Sequence, residues 1–158
     1  MNPSQLKRKL DDELSALLAS SEKHDCGRIE CVLADRHDLV EAVTTLQELG
    51  ITHLITITGV DAGDEIEVLY HFLRYGEYDD GDLGEGVELT IRAIVPKEDP
   101  TIETLTDVLP GATLYERELM DMLGVEVTGH PNPEKLLLSD DFDGGPPLRA
   151  ENLEVSDS

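Results

Sequence analysis

Three carboxylates lie close together in the sequence, at Glu116, Glu118 and Asp121. Clustered carboxylates can exchange protons with a substrate or bind a metal ion. On a helix, however, positions 116 and 118 point to different faces, and only 118 and 121 are one turn apart. No histidine stands at ligand spacing, whereas Arg117 offers a planar guanidinium for bidentate ion pairs. The spacing therefore favours an ion-pair network around Arg117 over an acid–base or metal site.

A single histidine, His130, is held between Gly129 and Pro131, where the chain must turn stiffly. A histidine in such a place can act as a proton donor near a redox site. The more ordinary role is a hydrogen bond to the backbone at an interface, and we favour that role. The sequence contains neither a Ser/His/Asp arrangement nor a glycine-rich phosphate loop before a helix, so the main hydrolase and nucleotide-binding signatures are missing.

Two cysteines, Cys26 and Cys31, form a Cys-x4-Cys pair with His24 close by. Two thiolates could contribute to a metal site, but zinc and iron–sulfur centres in proteins usually take four ligands, and no second cluster follows. A disulfide is uncommon in a reducing cytosol. The pair is therefore interpreted as two ordinary, partly buried cysteines, and we expect no metal or other cofactor in this chain.

The charge balance is extreme, because 35 acidic residues stand against 12 basic ones, for a net charge of −23 in 158 residues. Such a surface repels nucleic-acid phosphates and anionic lipid. Two explanations fit together: a solubility adaptation to a salt-rich cytoplasm, where repulsion is screened, and a docking face for a basic partner. No apolar run approaches the roughly 20 residues of a spanning helix, and the N-terminus lacks a signal core. We expect a cytoplasmic protein that meets the membrane only through its partners.

Hydrophobic periodicity predicts the elements that hold these residues. Four helices are predicted, each with one apolar stripe or a clear stop signal; they cover residues 4–19, 36–49, 101–109 and a fourth helix that runs up to Gly124. Asp35 is the predicted cap of the second helix and Gly50 its end. In the fourth helix we expect Leu114, Leu119, Met122 and Leu123 to share the apolar face.

Four strands are predicted from alternating or β-branched runs, at residues 28–33, 51–60, 65–74 and 87–95. The first strand, its helix and the second strand resemble a βαβ unit, so those two strands are expected to be parallel. The last three strands should form an antiparallel meander. The predicted fold class is α+β: a single domain, residues 1–131, with a mixed four-stranded sheet and helices packed on it.

Beyond Pro131 the composition changes. Residues 132–158, the C-terminal arm, are acidic and rich in Gly and Pro, with a few apolar residues that have no regular element of their own; these are Leu136, Leu137, Leu138, Phe142 and Leu148. We expect the arm to lie extended on a partner, anchored by the leucines, with Arg149 paired to a carboxylate there.

Short motifs at fixed spacing resemble one family. They are Glu116-Arg117-Glu118, Asp121-Met122, Gly124-Val125, Gly129-His130-Pro131 and Lys135-Leu136-Leu137. This pattern is similar to the 30-kDa subunit family of respiratory complex I, which includes the C subunits of bacterial NADH:quinone oxidoreductases. Relatives occur in energy-converting membrane-bound nickel-iron hydrogenases, formate hydrogenlyases and F420H2 dehydrogenases. The resemblance covers roughly residues 28–150. It departs near the end, where Gly145-Pro146-Pro147-Leu148-Arg149-Ala150 lacks a His and a Lys common in the family.

The resemblance implies a role without chemistry of its own. Members of the family carry no cofactor, belong to the hydrophilic arm of an ion-translocating redox complex, and brace the catalytic large subunit and the iron–sulfur subunits. Those partners carry the iron–sulfur clusters and, in hydrogenases, the nickel-iron site. By this likeness a set of residues would be structural or interface residues: Glu116, Arg117, Glu118, Asp121, His130, Pro131, Lys135, Leu136, Leu137 and Arg149.

An alternative from another class rests on the charge alone. A free-standing acidic protein can mimic nucleic acid and occupy a basic partner. Charge, however, does not require the fixed spacing of the motifs, and the residues alone otherwise indicate a non-catalytic subunit or adaptor.

Overall fold

A five-stranded mixed sheet with helices on one face forms the body of the computed structural model, which describes residues 2–76, 78–79, 82–83, 86–134 and 144–152. The predicted α+β class with a mixed sheet is confirmed. The main sheet has the strand order β1-β2-β7-β4-β3. Its strands are β1 (Leu18–Lys23), β2 (Ile29–Leu33), β3 (His53–Asp61), β4 (Glu65–Arg74) and β7 (Val87–Pro96).

The remaining strands are short and form two separate pairs. Between β4 and β7 there are two two-residue strands, β5 (Tyr78–Asp79) and β6 (Asp82–Leu83). The other pair is β8 (Thr101–Glu103) and β9 (Glu126–Thr128), which run parallel with Ile102 opposite Val127. Because β8 precedes the last long helix and β9 follows it, their pairing ties the two ends of that helix together.

Three α-helices are described: α1 (Pro3–Leu14), α2 (Leu39–Glu48) and α3 (Thr113–Leu123). Short 3₁₀ turns cover Arg36–Asp38, Pro110–Ala112 and Ala150–Asn152. The Asp35 side chain accepts a hydrogen bond from the N–H of His37 at 2.9 Å, so Asp35 caps this start as predicted. Gly50, with φ 82°, ends the segment after α2.

The first strand of the sheet was missed. Residues 4–19 were predicted to be one helix, but α1 ends at Leu14, and residues 18–23 form β1, antiparallel to β2. The segment Ala19-Ser20-Ser21-Glu22 is polar and mostly exposed, without the β-branched residues that mark a strand. It is held by pairing with β2 across the turn at Gly27, which is tertiary context that periodicity does not report.

Strand directions agree with the prediction. The meander β3-β4-β7 is antiparallel, as predicted. β2 and β3 run in the same direction, also as predicted, but they are not neighbours, because β2 pairs in parallel with β7, with Cys31 opposite Ile91. Two strands therefore lie between β2 and β3. The connection from β2 through α2 to β3 therefore spans the two strands β7 and β4.

The helix predicted at residues 101–109 is also wrong. Residues 101–103 form β8, and a turn follows up to Leu109. Thr101 and Ile102 are β-branched residues that favour a strand once β9 offers a partner. Leu105 and Leu109 are buried nevertheless, so the apolar spacing reports core positions without a helix.

Candidate functional site

The helix α3 is the element around which the predicted site residues gather. It ends at Gly124, whose φ of 66° is left-handed, as the sequence predicted. Leu119 and Leu123 are buried, but Leu114 is 57% exposed, so the expectation that it shares their face is wrong. Five residues separate Leu114 from Leu119, which at about 100° per residue places them far apart around the helix. Glu116 takes the inward position instead.

Glu116 is the most unusual of these side chains, because it is a carboxylate only 1% exposed. One oxygen accepts a hydrogen bond from the N–H of Leu105 at 2.7 Å, and the other accepts one from the hydroxyl of Thr104 at 2.6 Å. Burial raises the pKa of Glu116, while the Leu105 N–H and the Thr104 hydroxyl act in the opposite direction. Its oxygens therefore bind the 104–105 segment, and Arg117, the partner predicted for Glu116, is not among the groups they contact.

His130 lies beside Glu116 and is buried as well. Its Nε2 donates to the carbonyl of Thr113 at 3.0 Å, and its Nδ1 accepts from the N–H of Asn132 at 3.0 Å. Since a carbonyl can only accept and an N–H can only donate, the ring is the neutral Nε2–H tautomer. The distance from Nε2 to the Glu116 carboxylate is 3.7 Å, longer than a hydrogen bond. His130 thus fastens the turn after β9 to the first residue of α3.

The other predicted residues of α3 differ in exposure, because Glu118 is exposed, Arg117 is half-buried and Asp121 is buried. Arg117 donates from Nε to the backbone carbonyl of Glu134 at 3.0 Å. A cavity of about 210 Å³ lies between α3 and β3, lined in part by Glu118, Met122 and Gly59. The structure does not gather Glu118 and Asp121 with Glu116 into one carboxylate cluster.

The approach of α3 to β3 depends on Gly59. A Cβ atom on Gly59 would lie 2.1 Å from Cδ1 of Leu123 and 2.8 Å from Cδ1 of Leu119. Both distances are shorter than carbon atoms tolerate. Gly59 therefore allows the helix to lie directly on the strand.

The end of α3 is covered by the described part of the C-terminal arm, residues 144–152. The N–H of Leu148 donates to the carbonyl of Met122 at 2.8 Å. The guanidinium of Arg149 donates from Nε to the carbonyl of Leu123 at 2.6 Å and from Nη2 to that of Gly124 at 3.4 Å. These carbonyls are otherwise left without partners at a helix end, where a positive charge is also favourable. Arg149 is thus a helix cap within this chain, where we had expected it to pair with a partner's carboxylate.

A second attachment holds the same part of the arm to the sheet. The Asp61 carboxylate accepts a hydrogen bond from the N–H of Ala150 at 2.7 Å and pairs with Lys97 at 2.6 Å. Lys97 also pairs with Glu151 at 3.0 Å. The Lys97 ammonium, with the N–H groups of Ala150 and Gly63, lowers the pKa of Asp61 to about 2. The arm therefore bridges the end of α3 and the corner where β3 and β7 end.

Of the predicted site residues that remain to be placed, Pro131 lies in the described part of the chain. Pro131 is exposed. Lys135, Leu136 and Leu137 lie outside the described residues, as do Leu138 and Phe142. The boundary drawn at residue 131 between domain and arm stays a prediction.

The cysteines do not form a site. Both are free thiols; Cys31 is buried on β2, and Cys26 is exposed, where we had expected a partly buried residue. Burial raises the pKa of Cys31 to about 12, so it is a protonated core residue. Among the described residues, no group of three or more His, Cys, Asp or Glu side chains is arranged to hold a metal ion. In the same part of the chain, no helix is long and apolar enough to cross a bilayer.

Sequence reasoning missed several residues that complete the site. Thr104 gave no signal, because its role depends on a carboxylate twelve residues later. Asp61 could have been noticed, since Asp61-Ala62-Gly63 is a turn sequence in which the Asp side chain binds the Gly63 N–H, here at 3.0 Å. Lys97, one of few basic residues in an acidic chain, gave no signal of its role, because its partners Asp61 and Glu151 are far from it in the sequence. Together the site is a set of internal hydrogen bonds that fixes α3 and the arm.

Comparison with known proteins gives the same family as the sequence motifs. The family of the respiratory-chain NADH dehydrogenase 30 kDa subunit matches residues 32–154. The C subunit of an NADH-quinone oxidoreductase from Roseiflexus castenholzii is 31% identical over 96% of this chain and 87% of its own length. The C subunit of the F420H2 dehydrogenase from Methanosarcina mazei is 34% identical over 65% of this chain and 61% of its own length.

A third relative, NADH-quinone oxidoreductase subunit 5 of Thermus thermophilus, is 30% identical over 73% of this chain. The match covers 58% of that protein, so the chain spans less than two thirds of it.

Solved structures agree with these sequence relatives. A trypsin-resistant fragment of Nqo5 superposes with a TM-score of 0.65 at 29% identity, over 81% of this chain and 98% of the fragment. A chain of the membrane-bound sulfane sulfur reductase, an archaeal respiratory membrane complex, gives a TM-score of 0.79 at 21% identity over 94% of this chain and 84% of its own, which shows the fold. Nothing in these matches supports a free-standing nucleic-acid mimic. The chain belongs to the family of the respiratory-chain NADH dehydrogenase 30 kDa subunit, whose members are subunits of complex I-like, membrane-bound complexes.

Proposed function

We propose that this protein is a non-catalytic subunit of the hydrophilic arm of an ion-translocating redox complex. The parent complex is an NADH or F420H2:quinone oxidoreductase or an energy-converting hydrogenase. In it, this chain braces the catalytic large subunit and the iron–sulfur subunits, which carry the iron–sulfur clusters and, in a hydrogenase, the nickel-iron site. The chain itself holds no cofactor and reaches the cytoplasmic face of the membrane only through those partners.

One observation carries the proposal: several polar residues of the family signature are bound to this chain's own backbone. Glu116 binds the N–H of Leu105, and His130 binds the carbonyl of Thr113. Arg149 binds the carbonyl of Leu123. A catalytic acid or base has to reach a substrate, whereas Glu116 is 1% exposed and the His130 side chain 0%. Groups used in this way stabilise a rigid shape, which is what a bracing subunit requires.

The position of the arm supports the same conclusion. Residues 144–152 are held at two places, by the carbonyls at the end of α3 and by Asp61. Leu148 is 49% exposed although its backbone is fixed. An apolar side chain displayed on a fixed backbone is suited to contact a neighbouring subunit, since little further ordering is needed on binding.

The proposal is tested by purification from the native host through a tag on this chain. We expect the tag to recover a large subunit and iron–sulfur subunits, and the complex to show the redox activity. A chain truncated after Pro131 should recover few of these subunits. Full assembly and turnover with the truncated chain would contradict a bracing role for the arm.

A second measurement addresses the absence of chemistry. The purified, untagged protein alone should bind no stoichiometric iron or zinc and should show no flavin or nicotinamide absorption. Stoichiometric metal that is lost on replacing Cys26 and Cys31 by serine would contradict the proposal.

A further inference from the structure

The helices and the hydrophobic core lie on one face of the main sheet. Every residue of β2, β4 and β7 that belongs to the core points to that face, and the register of the strands places them in continuous rows. On β4 the burial alternates strictly over Ile66, Val68, Tyr70 and Phe72, while the residues between them are partly exposed. The opposite face is not covered by any helix in the described part of the chain.

This opposite side, the open face, is not as polar as a solvated sheet face usually is. Val60 pairs with Glu67 across β3 and β4, which places both on the open face, and Val60 is 49% exposed. Leu69 stands between Thr58 and Arg92 in the next row. The apolar residues of the open face are Val32, Val60, Leu69, Leu73 and Ile94. A solvated antiparallel face would carry polar residues at most of these positions.

The open face also has a cavity beside His71. It measures about 230 Å³ and is lined by Ile55, Thr56, His71, Phe72, Glu88, Leu89 and Thr90. Both ring nitrogens of His71 are already engaged, by the hydroxyl of Thr58 and by that of Thr90, each at 3.0 Å. Glu88, by contrast, is exposed, and no hydrogen bond or ion pair holds its carboxylate among the described residues. The cavity is therefore lined by the carboxylate of Glu88 and by the hydroxyl groups of Thr56 and Thr90.

The charged residues of the open face limit which kinds of molecule can bind to it. Its acidic residues exceed its basic ones: Glu22, Glu30, Glu67 and Glu88 stand against Arg92, with Arg28 near His71. Arg92 is already paired with Glu30 at 2.5 Å. A second copy of this chain would bring the same carboxylates together, in a protein of net charge −23. Nucleic acid and anionic lipid are repelled for the same reason.

We propose that the open face docks one neighbouring subunit of the same complex, through a surface on that subunit that combines an apolar patch with a basic side chain. An arginine or lysine of that subunit enters the cavity beside His71 and pairs with Glu88. Leu69 on β4 and Val60 on the edge strand β3 form the apolar part of the contact. This inference rests on the proposed function, because it requires a complex in which the neighbour is present.

The dimensions of the sheet agree with a stable contact. Five strands spaced about 4.8 Å apart are roughly 20 Å across. The ten-residue strands β4 and β7 are roughly 33 Å long at about 3.3 Å per residue. The projecting side chains add surface to this flat area. With them, the face approaches the roughly 800 Å² that each partner contributes to a standard interface.

The test uses exposed residues, so that the fold is not at risk. Val60→Glu and Glu88→Lys are made in the tagged chain in its native host, and the subunits recovered with the tag are quantified. Val60→Glu would bury an unpaired carboxylate in the contact, and Glu88→Lys would set a positive charge against the basic side chain of the neighbour. We therefore expect recovery of one neighbouring subunit to fall strongly with each variant. A photo-reactive side chain at position 60 should cross-link to a basic segment of that same subunit.

Matched controls lie on the helical layer: Leu114→Glu, at a residue 57% exposed, and Glu48→Lys at the exposed end of α2. Both should leave recovery unchanged. Normal recovery with Val60→Glu and Glu88→Lys would overturn the inference, as would a cross-link to a second copy of this chain or to an acidic segment. Failure of the unmodified chain to recover any subunit would instead contradict the proposed function.

Discussion

The carboxylate of Glu116 accepts a hydrogen bond from the backbone N–H of Leu105, eleven residues earlier in the chain, at 2.7 Å. Because this bond is buried, one side chain of α3 fixes the segment that leads into the helix. Replacing Glu116 by alanine removes the acceptor for two buried donors, and we expect the free energy of unfolding to fall by about 2–4 kcal/mol. Urea denaturation followed by circular dichroism measures it.

The matched variant is Glu116→Gln, which keeps one carbonyl oxygen for the Leu105 N–H. It should lose less stability than the alanine variant. Since burial raises the pKa of Glu116 in the folded state, the folded protein holds this proton more tightly than the unfolded chain. The resulting contribution is present below the unfolded pKa of about 4.3 and is lost as the pH rises through the folded pKa. Glutamine should abolish that part of the pH dependence; an unchanged profile would contradict it.

The contact between α3 and β3 predicts a sharp effect at Gly59. A methyl group there meets Leu119 and Leu123, so Gly59→Ala should destabilise the protein by about 1–3 kcal/mol, the usual range for overpacking. Gly111→Ala is the control, because nothing lies within 4 Å of a Cβ at that position. Thermal melts of both variants test this prediction. Equal decreases in the melting temperature for Gly59→Ala and Gly111→Ala would mean that α3 does not pack against Gly59.

Arg149 should matter through its geometry as well as its charge. Lysine cannot reproduce the two donors that reach the carbonyls of Leu123 and Gly124. For Arg149→Lys we expect faster cleavage of residues 144–152 by proteinase K and a loss of about 1–2 kcal/mol in the free energy of unfolding. Arg8→Lys, at an exposed position on α1, should leave the cleavage rate unaltered. Arg149→Lys that is cleaved at the wild-type rate would show that the other attachments, at Met122, Asp61 and Lys97, are enough to hold the arm.

His71 provides a prediction for pH. Burial lowers the pKa of His71, with Arg28 adding to the shift and Glu88 and Glu30 opposing it. The folded protein therefore resists protonation, and the stability contributed by the neutral ring is present above about pH 6.5 and lost as the pH falls through the folded pKa. NMR titration of the ring protons should show the lowered pKa. His71→Gln should flatten the fall in stability below about pH 6.5, and a titration at or above that value would contradict the burial argument.

Salt should stabilise the domain. With a net charge of −23, repulsion between carboxylates opposes folding, and added ions screen that repulsion. We expect the melting temperature to rise as KCl is added. A flat or falling response up to about 1 M salt, where the Debye length is about 3 Å, would remove the salt-adaptation hypothesis.

Local signals predicted most of the sheet and two helices. β4 was placed at its observed bounds, and α2 was found through Asp35 and Gly50, because these features depend on neighbours in the sequence. The strand β1 was missed because its residues are polar and mostly exposed, and β8 was missed because it is short and pairs with the distant strand β9. The hydrophobic periodicity correctly placed Leu105 in the core, but it wrongly predicted a helical backbone there.

The candidate site was predicted in its residues more than in its contacts. The motif around α3 identified Glu116 and His130, yet nothing in the sequence showed that Glu116 would bind Thr104 instead of Arg117. Composition suggested an arm that needs a partner, whereas Arg149 and Leu148 bind the end of α3. Such long-range contacts follow from how the elements pack, which a single sequence does not specify.

The parallel pairing of β2 with β7 has a consequence for the order of folding. Ile29 lies opposite Leu89, so β1 and β2, which pair with each other, have no contact with the rest of the sheet until β7 has been synthesised. Contacts of such high sequence separation form slowly, because a long loop must close first. The meander β3-β4-β7 should therefore assemble first on the ribosome, and the N-terminal hairpin should join it only afterwards. The segment that precedes β3 would remain a target for chaperones and proteases during that interval.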